Sequence, residues 1–403
     1  MKKFILSMAL IGIAATVAFG QKKVVKSAEK NLRRGNLQEA YTEIKSATSD
    51  EETGSQSETY FIKGKIETQM FELDSSNTEE TVAIGREAEG SFMKTFEMED
   101  MDSTSKVSED LFKEVLPEMP PNFQGEGVYR LKSAALNKAI AKYEEEDMEL
   151  SYEFFSLAAD LDPKDTSNVF NAGYTANMIG NTEGAKKYFT QLLEVDEYNK
   201  LNAYYFLIQI ASAEDNDPEE AYRVVTMARE DYPDDKGLAE FEIQLLLQLD
   251  KMDEAMTSIE KALETDPDNA AIRLRYGYLK EKSGDMEGAL EEYKKTVVAD
   301  PEFFEGNYYA GAIYLDKARN IITDVNNLSD EEWETKSESM LAEADGLYEE
   351  ALPYFSKASE LQPENTDLME ILFQIHTRLK NEAMAEEYNQ KLTDKFGADW
   401  LER

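Results

Sequence analysis

Catalysis needs nucleophiles, general bases or metal ligands, and this sequence of 403 residues supplies few of them. His376 is its one histidine, and cysteine is absent. Zinc sites and histidine-assisted nucleophiles draw on those two residue types, so neither chemistry has its parts. His376 itself falls in a helix-patterned stretch and reads as a helix residue of the last repeat. Carboxylates are abundant, 83 of them, which makes any single acidic pair uninformative. The runs Glu97 to Asp102 and Glu214 to Glu220 could attract calcium weakly, yet neither has calcium-loop spacing. No glycine-rich phosphate loop or dinucleotide fingerprint occurs. The expectation is a non-enzymatic protein with no cofactor and no metal.

Charge narrows the partners. The formal net charge is −40, from 43 basic and 83 acidic residues. Phosphate repulsion then disfavours nucleic acid, and anionic membrane surfaces are disfavoured for the same reason. The excess fits a well-solvated surface, or attraction to a basic partner. With 41% hydrophobic residues the chain still has ample material for a core.

At the amino terminus, Lys2 and Lys3 precede an uncharged apolar run from Phe4 to Val17. Ala18-Phe19-Gly20 follows with the small-x-small pattern of a signal-peptidase site. Residues 1–20 therefore read as a signal peptide, with an uncleaved anchor as the alternative. Without cysteine there is no disulfide and no lipid on a cysteine after the signal. The expected location is the periplasm, secretion or anchoring being the other options.

The elements that would position any site come from a repeat. Ala255 matches Ala289, Ile259 matches Tyr293, and Asp266-Pro267 matches Asp300-Pro301, each 34 residues on. A fixed period of that length marks a stack of helical hairpins. Units start at 132, 166, 202, 236, 270 and 304. Their second helices carry Phe155, Phe189, Val225, Ile259 and Tyr293, each preceded by four by a small residue: Ser151, Ala185, Ala221, Ala255 and Ala289. Close helix packing needs small residues beside large ones. Gly173, Gly277 and Gly311 sit on the first helices.

Residues 21–96 read as two degenerate units, the second with its turn enlarged by Phe71 to Glu80. Residues 97–131 read as a spacer holding a short helix from Ser108 to Leu116, or alternatively as a structured insert. Residues 132–403 form the main array. Within it the distance from Gly311 to Ala351 is 28 residues longer than from Gly277 to Ala289. Ser329 and Glu332 have capping-box spacing, and Ser337, Ala344, Ala351 and Ala358 recur every seven residues. An even split adds 14 residues to each helix and projects a hairpin over about 315–347. Pro353 should kink or interrupt the second of these helices. Phe396 and Trp400 should cover the terminal face.

Glycine or alanine on the first helix, alanine twelve residues later, an aromatic four further on and a closing Asp-Pro together resemble the tetratricopeptide repeat. The layout is also similar to exported tetratricopeptide proteins of Bacteroidota-type bacteria. The resemblance implies an all-α, right-handed superhelical solenoid of antiparallel hairpins. It further implies a concave face of first helices that binds segments of other proteins. On a helical wheel the packing stripe takes the fourth, eighth and eleventh positions of each unit. The stripe at the fifth, ninth and twelfth lies roughly 100° away. That second stripe holds Phe170, Tyr174, Asn177, Phe206, Gln244, Leu274, Tyr278, Glu281 and Tyr308, flanked by Arg275 and Lys282. Such a groove suits apolar or mixed protein segments. The competing reading packs these aromatics against the next unit. The subgroup that clamps chaperone tails uses Lys, Asn and Arg here, and these positions do not match it.

The expected function is a scaffold or adaptor for another protein of the cell envelope. The alternative is an exported protein that binds a ligand such as a glycan or peptide. Sugar platforms use exposed tryptophan, and both tryptophans, Trp333 and Trp400, lie outside the regular array.

Overall fold

The computed structural model describes residues 22–115 and 124–402. The signal-peptide reading and the prolines of the 97–131 stretch lie outside those residues. Every element described is helical, and the described residues divide into two compact units, the first ending at Asp217 and the second beginning at Pro218.

The first unit contains α1 (22–34), α2 (Leu37–Thr48), α3 (Ser57–Leu73), α4 (Glu79–Met98), α5 (Lys106–Leu111), α6 (Val128–Glu144), α7 (Met148–Leu161), α8 (Thr166–Met178), α9 (Thr182–Leu193) and α10 (Leu201–Gln209). A π-helical turn, Ile210–Glu214, continues α10. The second unit contains α11 (Pro218–Asp231), α12 (Lys236–Gln248), α13 (Met252–Thr265), α14 (Ala270–Lys282), α15 (Met286–Ala299), α16 (Phe304–Asn326), α17 (Asp330–Leu361), α18 (Thr366–Arg378) and α19 (Glu382–Phe396). A short turn, Trp400–Glu402, closes it.

Local chemistry sets these boundaries. Asp165, Asn181, Asp235, Asn269 and Asp285 each accept a hydrogen bond from the backbone N–H three residues on. Caps of this kind each contribute about 1 kcal/mol. The turn between paired helices needs a left-handed residue, supplied by Gly35, Gly180 and Gly284 but also by Glu146, Asp250 and Lys380. Pro218 opens α11, where its missing N–H has no intrahelical partner to lose.

Four expectations change. The extra length of the second amino-terminal unit lies mostly in its helices: α3 has 17 residues and α4 has 20, against 13 and 14 in α14 and α15. Phe71 to Leu73 continue α3 because no helix breaker precedes Asp74. The short helix of the 97–131 stretch is Lys106–Leu111, not Ser108 to Leu116. It packs: Leu111 is fully buried and Phe112 meets Phe96 edge-on at 5.0 Å. The next helix starts at Val128, four residues before the expected unit start.

The long hairpin is the third change. Its helices have 23 and 32 residues, so the insertion adds ten to α16 and eighteen to α17 relative to α14 and α15. The seam is nevertheless evenly extended, since Gly311/Ala351, Ala318/Ala344 and Val325/Ser337 step along it by seven and all six residues are buried. The turn has shifted four residues toward α16. The Ser329–Glu332 capping box fixes where α17 begins, and so where α16 must stop. Lys317 pairs with Glu287 at the start of α15, and Asp345 with Arg378 at the end of α18. The residues between project beyond those neighbours by roughly 14–22 Å.

Fourth, α17 runs unbroken through Pro353. Pro353 and Glu349 are both exposed, so water can take the carbonyl that lost its partner.

Within the first unit, ion pairs dock α3 and α4 on the helices that follow. Arg86 bonds Asp160 (2.8 Å), Glu89 (2.9 Å) and Ser156 (2.6 Å), and Asp160 also receives Lys187 (2.7 Å) and the Tyr188 hydroxyl (3.1 Å). Arg130 grips Glu72 with two hydrogen bonds of 2.8 and 2.6 Å.

Candidate protein-binding face

The seam of each hairpin decides which side of its first helix stays free. At Gly173 a Cβ would lie 3.0 Å from the Phe189 ring, at Gly277 2.5 Å from Tyr293 and at Gly311 3.0 Å from Phe355. The aromatic of the second helix therefore sits on the glycine of the first. With that side sealed, the stripe one residue's rotation away faces outward.

In the first unit this stripe carries an aromatic cluster. Phe170 stacks with Tyr174 at 6.2 Å, and both meet Phe206 edge-on at 6.1 and 6.0 Å. Phe206 in turn lies flat on Phe189, centroids 4.6 Å apart. Phe206 is thus shared between the face and the packing of adjacent helices. Phe170 and Tyr174 are half-buried. With Ile140, Tyr143, Phe155 and Asn171 they line an open cleft of ≈ 360 Å³ across α6, α7 and α8. Asn177 is half-buried at the end of α8 and is not part of the cleft wall.

Two features give this cleft its character. Ile140 and Tyr143 stand 43% and 39% exposed, apolar side chains held in water beside aromatic rings. In addition, α8 and α10 contain no charged residue, although 31% of the whole sequence is charged. An uncharged aromatic face on a strongly acidic chain is suited to exclude water over an apolar segment. Ile140 and Tyr143 were absent from the sequence-based stripe, yet they hold the ninth and twelfth positions of the unit beginning at Lys132. The same rule identifies them.

In the second unit the stripe is less concentrated. Gln244 is exposed on α12. The Arg275 guanidinium turns back to the Ala271 carbonyl at 3.3 Å. Tyr278 is 41% exposed, with the Lys282 ammonium 5.3 Å from its ring centre. Tyr308 stays half-buried, packed between Phe304 (6.0 Å), Tyr309 (5.6 Å) and Phe355 (5.9 Å). Glu281 is engaged from behind, accepting the Tyr293 hydroxyl at 2.8 Å. Burial and that carboxylate push the Tyr293 phenol far above its ordinary pKa, so it remains a donor. Tyr278 and Tyr308 stand on different helices with separate neighbours.

The tryptophans do not form a platform together. Trp333 is 53% exposed on the projecting hairpin, while Trp400 is buried, edge-on to Phe373 at 5.0 Å. Its indole N–H donates to Asn389 at 3.0 Å, so it covers the terminal core as expected. Among the described residues no group of three or more His, Asp or Glu side chains could hold a metal ion. No described helix is long and apolar enough to cross a membrane.

Residues 246–310 match the tetratricopeptide repeat family model. The chain is similar to YrrB, a solved tetratricopeptide repeat protein with an unusual peptide-binding site, at 19% identity and a TM-score of 0.36 over 53% of this chain and 95% of that one. It is similar to MamA of Desulfovibrio magneticus at 20% identity and a TM-score of 0.35, over 49% and 95% of the two chains. A tetratricopeptide repeat protein of Parabacteroides merdae aligns over 73% of this chain and 98% of its own, with 15% identity and a TM-score of 0.29. No curated protein matches the sequence.

Proposed function

Since the chain is a tetratricopeptide repeat protein, we propose that it is a non-enzymatic scaffold that receives a segment of a partner protein on its first-helix face. The observation that carries this reading is the cleft bounded by Ile140, Tyr143, Phe155, Phe170 and Tyr174. It offers rigid aromatic anchors and no charged clamp, which favours an uncharged segment rich in apolar side chains. The projecting α16–α17 hairpin provides a second contact. The charged, apolar and small-x-small pattern of residues 2–20 supports action in the cell envelope.

Replacing Ile140 and Tyr143 together by serine tests the reading. Both side chains are partly exposed and lie outside the buried core, so the variant should stay folded with a loss on the order of 1–3 kcal/mol, checked by thermal unfolding. Partner recovery from the producing cells, quantified by mass spectrometry, should drop at least tenfold. Equal recovery of every associated protein by the double variant would remove the cleft from the mechanism.

A further inference from the structure

The cleft between α6, α7 and α8 lies near the carboxyl ends of its first helices. Tyr143 is the penultimate residue of α6, and Tyr174 stands four residues before the end of α8. Beyond Tyr143 the chain continues Glu144-Glu145-Glu146-Asp147, and all three glutamates are exposed. Glu144 follows Ile140 by four positions, so the two share a face of α6 with Cβ atoms roughly 5–6 Å apart. Helical side chains lean toward the amino terminus, which carries the Glu144 carboxylate back toward Ile140 and the edge of the cleft. Glu146 takes the left-handed conformation (φ 62°) just past the helix.

No cation of the two first helices is left to neutralise this lip. The four on α6 are engaged: Arg130 on Glu72, Lys132 on Asp162 and Asp165, Lys138 on the Asp74 carbonyl and Asn77, and Lys142 on Glu145 and Asp147. The facing helix α8 carries no charge. Among the described residues Glu144 and Glu146 enter no ion pair, since Lys142 is held by their neighbours. The carboxyl end of α6 adds its own partial negative charge at the same place.

We infer that the segment received by the cleft is apolar and carries a Lys or Arg at the end that lies over the carboxyl terminus of α6. The inference rests on the partner-binding reading above and adds the charge of the partner. The rings exclude water over the uncharged part of the segment. The cation stays outside the cleft and meets Glu144 and Glu146 at a wet lip, where complementary charge contributes a few-fold in affinity and fixes register.

Selection of displayed random short peptides on the full chain is the test. Selected peptides should pair an apolar run with a Lys or Arg, at the same end throughout. Synthetic copies should bind roughly threefold or more tightly than copies with that residue replaced by Gln. The preference should hold at about 0.01 M ionic strength and vanish near about 1 M. Glu144→Gln with Glu146→Gln should abolish it and leave the Gln copies binding as before; both positions are exposed, so the fold is retained. A preference that survives in this variant comes from the net charge of −40 and would overturn the assignment. Selected peptides without a basic end, whose binding Ile140→Ser with Tyr143→Ser abolishes, would sink the inference and leave the cleft reading standing. Equal binding to that serine variant, or no selected peptide at all, would remove the cleft and the inference together.

Discussion

Phe355→Ala should destabilise the carboxyl-terminal unit by about 3–5 kcal/mol, the range for emptying a filled aromatic position. Phe355 is completely buried and lies over Gly311, with the Tyr308 ring edge-on at 5.9 Å. It belongs to the same core as Ala351, Leu372 and Trp400. No neighbour can collapse into the gap easily, because the glycine below has no side chain to offer. The reverse change has a smaller but related cost. Gly277→Ala would put a Cβ 2.5 Å from the Tyr293 ring, and that ring is itself fully buried. Urea unfolding followed by circular dichroism and by tryptophan fluorescence measures both. A loss below 1 kcal/mol for Phe355→Ala would show that the glycine–aromatic seam does not hold the hairpins together.

Deleting residues 236–269 should leave a folded protein, whereas deleting 236–252 should not. The longer deletion removes α12 and α13 as one unit. Asp235, which now caps α12 by accepting from the Leu238 N–H at 2.9 Å, would then precede Ala270. It would take the place of Asn269, which caps α14 through the Ile272 N–H at 3.0 Å. Leu238 and Leu245 would be replaced in register by Ile272 and Leu279, and all four are buried. Repeat stacks tolerate such losses because each unit contacts mainly its neighbours. The shorter deletion removes α12 and leaves Ala255, Ile259 and Ala262 of α13 without the helix they face. Helicity per residue and a cooperative thermal transition should survive only in the first variant. Equal unfolding of both would contradict a modular array.

Much of this architecture is legible because each hairpin repeats one local agreement. An alanine, an aromatic four residues later and a glycine twelve before the alanine predict a ring seated on a bare backbone, as at Gly173/Phe189 and Gly277/Tyr293, and Gly311/Phe355 keeps the same contact across its 28-residue insertion. The shifted turn of the long hairpin was less legible. Heptad spacing sets its seam but not its turn; the capping box at Ser329 does. The docking of α4 on α7 through Arg86 and Asp160 joins residues 74 apart and leaves no trace in periodicity.

The candidate site was legible only in part. The stripe rule pointed to Phe170 and Tyr174, which line the cleft. It also placed Phe206 on the free face, although a phenyl ring is long enough to reach Phe189 in the seam. Ile140 and Tyr143 obey the same rule, but the stripe was not carried into their unit because it matches the repeat weakly around Lys132. Their importance appears only when α6 and α8 stand side by side.

The most direct measurement of the central claim is site-specific photo-cross-linking in the producing cells. A benzophenone side chain would stand at Tyr143 in the cleft, or at Met93, a 48% exposed apolar position on α4 that lines no part of the cleft. A discrete protein adduct from position 143, reproducible and absent from position 93, is the predicted result. The same adducts from both positions, or none from position 143, would contradict a partner-binding face on α6 and α8.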